Sequence, residues 1–163
     1  KNNFDIAIQL DGDGQHPVNE IVNLIEPILK NEADVVIGSR FITKQGFQSS
    51  ALRRTGINYF KNLNKLLLGI KITDSTSGFR ALNKKALEVV NDYYPDEYPE
   101  PEAIVLYKLN KLTIKEIPVM MLERNGGQSS IGSFSSIYYM MKVTLGILFI
   151  YLRLKLNGKR SPL

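Results

Sequence analysis

Cysteine is absent from the 163 residues, and histidine occurs once, at His16. The first absence excludes disulfide scaffolds, zinc–thiolate sites and thiol nucleophiles. The second excludes a multi-histidine metal cage. Acidic residues are missing from everything beyond Glu123, where Arg124, Lys142, Arg153, Lys155, Lys159 and Arg160 stand without counter-charge. The net charge of +5 therefore resides in the tail, and the preceding residues sum to −1. A nucleic-acid binder spreads its basic residues over a folded face or an arm. Here they accompany the most apolar stretch, Ile137 to Leu152, broken by Lys142. An apolar segment with a basic end suits an anionic membrane surface and not nucleic acid. Hydrophobic residues make up 44%, enough to fill a packed core and to exclude a disordered chain.

Phe4, Ile6, Ile8 and Leu10 alternate with Asp5, Ala7 and Gln9, a period of two that predicts a strand. It runs into Asp11-Gly-Asp-Gly-Gln-His-Pro17, and Pro17 suits the first turn of a helix. Val18 to Leu29 has helical spacing, with Pro27 expected to kink or split it. Ala33 to Gly38 reads as a short buried strand, and Ala51 to Leu68 as a long helix that Gly69 ends. Thr73 to Arg80 is a small-polar loop, Lys84 to Val90 a helix, and Tyr93 to Pro101, with three prolines, an irregular segment. Glu102 to Lys111 predicts a helix and Thr113 to Leu122 a strand, where Pro118 indicates an edge or a bulge. Alternating strands and helices define an α/β sheet, in which ligands bind beyond the carboxyl ends of the strands.

The Asp11–Gln15 loop occupies that kind of end. Two carboxylates two residues apart, in a turn loosened by Gly12 and Gly14, both reach one cation, and oxygen ligands suit Mg2+ or Mn2+. Such a pair serves to hold a metal that bridges a diphosphate and neutralises leaving-group charge. A plain polar turn with Asx bonds is the competing reading. A calcium loop of EF-hand type needs Gly and Glu where His16 and Val22 stand, so it fails. An aspartyl-phosphate phosphatase loop needs Thr or Val where Gln15 stands. His16 is read as a flank of the helix start or as a ligand.

Five further segments follow in order: Val36-Ile-Gly-Ser-Arg-Phe41, Asp74-Ser-Thr-Ser-Gly-Phe-Arg80, Tyr98-Pro-Glu-Pro-Glu102, Glu116-Ile-Pro-Val119 and Arg124-Asn-Gly-Gly-Gln-Ser-Ser-Ile131. With the acidic loop, they make the chain resemble the family 2 glycosyltransferases of GT-A fold, most closely the dolichyl-phosphate mannose synthase and polyprenyl-phosphate sugar transferase branch. The resemblance implies a partial GT-A sheet with flanking helices, followed by an apolar and basic C-terminal helix. Residues 1–130 would be the C-terminal part of the catalytic domain, and residues 131–163 an amphipathic or membrane-interface helix with a basic tail. The family's opening strands, which grip the nucleotide base, have no counterpart here, so the expectation is of a C-terminal piece that self-associates or is unstable alone.

The roles implied by the resemblance are specific. Asp11 and Asp13 would hold the metal, with Gln15 adding to its shell. Asp11, Arg40, Asp74, Gly78, Arg80, Arg124 and Ser129 would line the nucleotide-sugar site. Glu100 or Glu102 would be the base for a hydroxyl acceptor, whereas a polyprenyl phosphate, already an anion, needs none. Arg40 has the alternative of an ion pair at a strand end, and Arg80 that of a buried pair with Asp74. The implied activity is inverting, metal-dependent transfer of a sugar from a nucleotide diphosphate to a polyprenyl phosphate or a surface glycan, at the cytoplasmic face of a membrane. A non-catalytic sugar- or lipid-binding fragment and a metal-dependent phosphatase are the rival classes.

Overall fold

The computed structural model describes residues 4–43, 51–94, 99–122 and 133–156. Its strands are β1 (Ile6–Gln9), β2 (Val35–Ser39), β3 (Arg80–Asn83) and β4 (Ile114–Pro118). Its helices are α1 (Ile21–Leu29), α2 (Ala51–Leu68), α3 (Lys84–Asp92), α4 (Pro99–Leu109) and α5 (Ser133–Leu156). The sheet order is β1-β3-β2-β4, with β3 antiparallel to both neighbours and β2 parallel to β4. Pro118 closes β4 on the sheet edge, where its missing N–H disturbs no ladder.

Strand alternation divides the core. Val35, Ile37 and Leu82 point to one face and pack with Ala86, Ile104 and Tyr107 of α3 and α4. Val36, Ala81 and Phe79 point to the other and pack with Leu24 and Ile28 of α1. A third layer joins Phe60 of α2 and Val105 of α4 to Val143, Ile147 and Ile150 of α5. Helix α4 thus lies between the sheet and α5, and every residue from Pro101 to Tyr107 is buried.

Three expectations need correction. Pro27 does not split the helix: it stands inside α1, near the carboxyl end, and a single 3-10 turn, Val18–Glu20, precedes it. The segment expected to be irregular up to Pro101 is already helical from Pro99. Pro99 and Pro101 both fall in the first turn, where backbone N–H groups have no intrahelical partner to lose. Strand β3, read as the end of a loop, is formed because β1 and β2 supply partners on both sides.

The contact between α4 and α5 depends on Gly146. A Cβ there would collide with the Glu102 carboxylate, which is buried beneath α5. Gly146→Ala gains helix propensity of about 1 kcal/mol but forces that carboxylate to move, an overpacking cost of about 1–3 kcal/mol. The expected result is a net loss, read as a lower midpoint in thermal denaturation. A higher midpoint would show that Glu102 has room to yield.

Candidate active site

Beyond the carboxyl end of β1 the chain turns through the acidic loop. Asp13 Oδ1 accepts the backbone N–H of Gln15 (3.0 Å), an Asx turn that shapes the loop. Gln15 is buried, and its Nε2 donates to the Leu122 carbonyl (3.2 Å) while the Leu122 N–H donates back to the Gln15 carbonyl (3.0 Å). The loop is thereby stitched to the segment leaving β4. His16 stacks on Phe79, ring centroids 4.9 Å apart, and its Nδ1 accepts the Asp11 N–H (3.0 Å). The ring proton is then on Nε2, which faces Asp11 Oδ2 at 3.9 Å. Burial pulls the imidazole's pKa down against the raising influence of Asp11 and Asp13, so the neutral form that this bond requires is favoured. His16 shapes the loop through the Asp11 backbone.

The Asp11 side chain is 52% exposed at the mouth of the site. Directly across from it is Gly78: a Cβ there would sit 2.6 Å from Asp11 Oδ1. The missing side chain at Gly78 lets the Asp11 carboxylate rest against this loop.

The loop carrying Gly78 is fixed from below. Arg40 and Asp74 are buried and form a two-pronged ion pair, Nε to Oδ2 at 2.7 Å and Nη2 to Oδ1 at 2.8 Å. Burial opposes the Arg40 charge, but the hydrogen bond and charge of Asp74, with Asp11 and Asp13 nearby, outweigh it and raise the guanidinium's pKa. The ion-pair alternative therefore describes Arg40, and Asp74 pairs with Arg40 and not with Arg80. Glu116 of β4 accepts the backbone N–H groups of Thr73 (2.7 Å) and Asp74 (2.8 Å). Burial pushes its carboxyl up, against the pull of those hydrogen bonds. Ser77 Oγ donates to the Gly38 carbonyl (2.7 Å), tying the same loop to β2.

Arg80 is fully buried and bonds to protein carbonyls: Nε to Ser77 (2.9 Å), and Nη2 to Ser75 (3.1 Å) and Glu100 (2.7 Å). It fastens the Gly78 loop to the first turn of α4. There the two candidate bases part company. Glu100 turns toward the end of β1, where Gln9 Nε2 reaches its Oε1 (3.4 Å), whereas Glu102 turns toward Gly146 of α5. Arg124 and Ser129 lie outside the described residues. Asp11, Asp13, Arg40 and Asp74 form one group, since each acts on the charge of His16. Glu116 and Gln9 were not anticipated. The signals were a lone acid among the apolar residues of β4 and a polar strand-end residue two before Asp11.

A divalent cation fits the acidic loop. The carboxylates of Asp11 and Asp13 are oxygen donors, while the buried Gln15 side chain is engaged with the Leu122 carbonyl. Among the described residues no three His, Cys, Asp or Glu side chains converge. One or two carboxylates with phosphate and water completing the shell is the arrangement Mg2+ favours in nucleotide sites.

The four-stranded α/β sheet thus carries an acidic pair at a strand end, facing a glycine loop held by buried charges. The family model for glycosyl transferase family 2 matches residues 4–90, and the chain belongs to that family. It is 36% identical over 118 residues to the UDP-N-acetylglucosamine–dolichyl-phosphate N-acetylglucosaminyltransferase of Methanococcus voltae, covering 71% of this chain and 47% of the relative. It is 26% identical over 147 residues to the polyprenol monophosphomannose synthase of Mycolicibacterium smegmatis, covering 88% and 55%. The chain thus spans about half the length of these relatives. The glucosyl-3-phosphoglycerate synthase of Mycobacterium tuberculosis, solved with Mn2+, UDP-glucose and phosphoglyceric acid, superposes with a TM-score of 0.62 over 92% of this chain and 50% of that one, at 16% identity. That likeness establishes the GT-A fold.

Proposed function

We propose that this chain forms the metal-binding and acceptor side of an enzyme that transfers a sugar, with inversion, from a nucleotide diphosphate to a polyprenyl phosphate at the cytoplasmic face of a membrane. The observation that carries the reading is the exposed Asp11 carboxylate facing Gly78 across two loops held by separate buried networks. Asp11 and Asp13 would hold the cation, which when bound supplies positive charge for the departing diphosphate. Gln15 holds the loop's shape by its bonds to Leu122. Arg124 follows Leu122 by two residues and is assigned, with Ser129, to the same diphosphate. Arg40 and Asp74, paired with each other, and Arg80, bonded to backbone carbonyls, keep the Gly78 loop in place from beneath. A phosphate acceptor arrives as an anion, so its oxygen attacks the anomeric carbon without a base. The lipid acceptor is supported by the activities for which the two relatives are named and by the apolar face of α5.

Calorimetry with Mn2+ in the presence and absence of UDP tests the metal site. The expected result is binding that strengthens when UDP is present, and loss of that binding in Asp13→Ala. Equal binding by wild type and variant would remove the acidic loop from the site. Transfer is tested with membranes from cells expressing the native gene, given labelled UDP- and GDP-sugars and a polyprenyl phosphate. Absence of any labelled lipid would defeat the reading.

A further inference from the structure

Two side chains, Gln9 and Arg80, meet at Glu100, and a third, Tyr94, holds Gln9; the acidic loop's own network uses none of them. Gln9 and Arg80 are directly opposite each other in the β1–β3 ladder. Arg80 shares the α4 face of the sheet with Leu82, and as its cross-strand partner Gln9 projects to that face too. Both reach one residue of α4: Gln9 Nε2 donates to the Glu100 carboxylate (3.4 Å), and Arg80 Nη2 donates to the Glu100 carbonyl (2.7 Å). The orientation of the Gln9 amide is set in turn by Tyr94, whose hydroxyl donates to Gln9 Oε1 (2.9 Å). Gln9 therefore presents an N–H, and not an oxygen, to Glu100. Arg80 anchors the Glu100 backbone and Gln9 alone touches its carboxylate, which accepts up to about four hydrogen bonds, so most of its acceptor capacity remains. Gln9 precedes Asp11 by two residues, so this capacity is offered beside the strand end from which the acidic loop departs.

A phosphate acceptor gives Glu100 no proton to remove. What remains for a fixed, half-buried carboxylate beside a sugar-nucleotide site is to accept a hydroxyl proton donor. We propose that Glu100, clamped by the cross-strand pair Gln9 and Arg80 and aligned by Tyr94, is the group that recognises a hydroxyl of the sugar being transferred, with Gln9 and Tyr94 as positioning residues. This rests on the polyprenyl phosphate reading above. A carboxylate is an acceptor only, so it selects a sugar group that carries a proton to donate.

The test uses the membrane assay with whichever UDP- or GDP-sugar wild type turns over, and with the monodeoxy analogues of that sugar. Wild type is expected to lose about 10–100-fold in kcat/KM on one analogue, the range for a hydrogen bond to a charged group. Glu100→Ala should lose a similar factor on the intact donor and nothing more on that analogue. Gln9→Met and Tyr94→Phe should show the same blunted discrimination in smaller degree, with Gln9→Met adding nothing in the Glu100→Ala background. A role for Gln9 in stability alone would lower all donors equally and leave discrimination intact, which overturns the clamp. If the Glu100→Ala loss is the same for every deoxy donor and the acid limb of the pH–rate profile disappears, Glu100 is a base for a hydroxyl acceptor, and the proposal fails. No transfer by wild type from any donor defeats the functional reading itself, which separates the two failures.

Discussion

Asp74→Ala is expected to cost about 3–5 kcal/mol of stability, because it strands the Arg40 guanidinium in the interior without its partner. Most of the stability of an ordinary domain, about 5–15 kcal/mol, would be at risk. The pair is buried on both sides, with side-chain exposure of 5% for Arg40 and 0% for Asp74, so solvent cannot screen the loss. The backbone suffers as well, since the Arg40 N–H also points at Asp74 Oδ2 (3.3 Å). Glu116 would remain, holding the Thr73 and Asp74 N–H groups, so the loop should loosen and not unravel. Urea denaturation followed by far-UV circular dichroism measures the cost. A second variant, Arg40→Met with Asp74→Leu, isolates the reason: replacing both charges by apolar groups of similar volume should recover much of the stability lost in the single variant. A single variant within 1 kcal/mol of wild type would mean that Arg40 finds another partner, and that the Gly78 loop is held by Glu116 and Ser77 instead.

What the sequence disclosed of this site, and what it withheld, follows from the range of the forces involved. The acidic loop was legible because a period-two strand and two glycines are local signals, and the structure puts the loop at the carboxyl end of β1. Gly69 was legible as the end of α2 for the same reason, and it has a φ of +68°. The partner of Asp74 was not legible. Arg40 and Arg80 are both arginines near it in the fold, and only the register of β2 against β3, with Ile37 opposite Arg80, decides that Arg40 reaches the carboxylate. Helix α4 was legible from Glu102 onward, but its first turn was hidden by Pro99 and Pro101, which read as breakers and here occupy positions with no intrahelical N–H to lose. Read as a loop, Tyr98 to Glu102 made Glu100 and Glu102 interchangeable. Read as a helix, two residues turn the chain by about 200°, which sends one carboxylate to β1 and the other under Gly146. Four-residue β3 carries too few positions for alternation to register, and it exists because two neighbouring strands complete its hydrogen bonds.

Leu145→Glu combined with Phe149→Glu is expected to release the protein from anionic vesicles. Within helix α5, Ile137–Leu156 is 20 residues with a mean hydropathy of 1.4, about 30 Å of helix and long and apolar enough to cross a membrane. Its faces are unequal, however. Val143, Ile147 and Ile150 are buried against α2 and α4, while Ile137, Met141, Leu145, Phe149, Leu152 and Leu156 form an exposed stripe at spacings of three and four. Lys142 lies over the Tyr138 ring (5.4 Å) and Arg153 over Tyr93 (5.2 Å), so the cations sit along the helix without interrupting that stripe. A helix held on one side by its own domain offers the other to a bilayer surface, which favours an interfacial position over a crossing one. Leu145 and Phe149 are 63% and 65% exposed. Burying each in lipid contributes about 1.5–3 kcal/mol, so losing both should reduce partitioning at least ~100-fold, before counting repulsion of the new carboxylates by anionic lipid. Cutting the chain after Ser130 would be a poor test, since it also strips Val143, Ile147 and Ile150 from the core. The double substitution leaves that core intact, which a thermal melt will verify. Vesicle flotation at low and high salt then separates the two attractions: wild type should weaken but persist at high salt, where only the basic residues are screened, and the variant should fail to float at either. Should the variant float as well as wild type, α5 is a packing helix alone. The polyprenyl phosphate acceptor would then lose its support in this structure, and a soluble hydroxyl acceptor with Glu100 as its base would be the better reading.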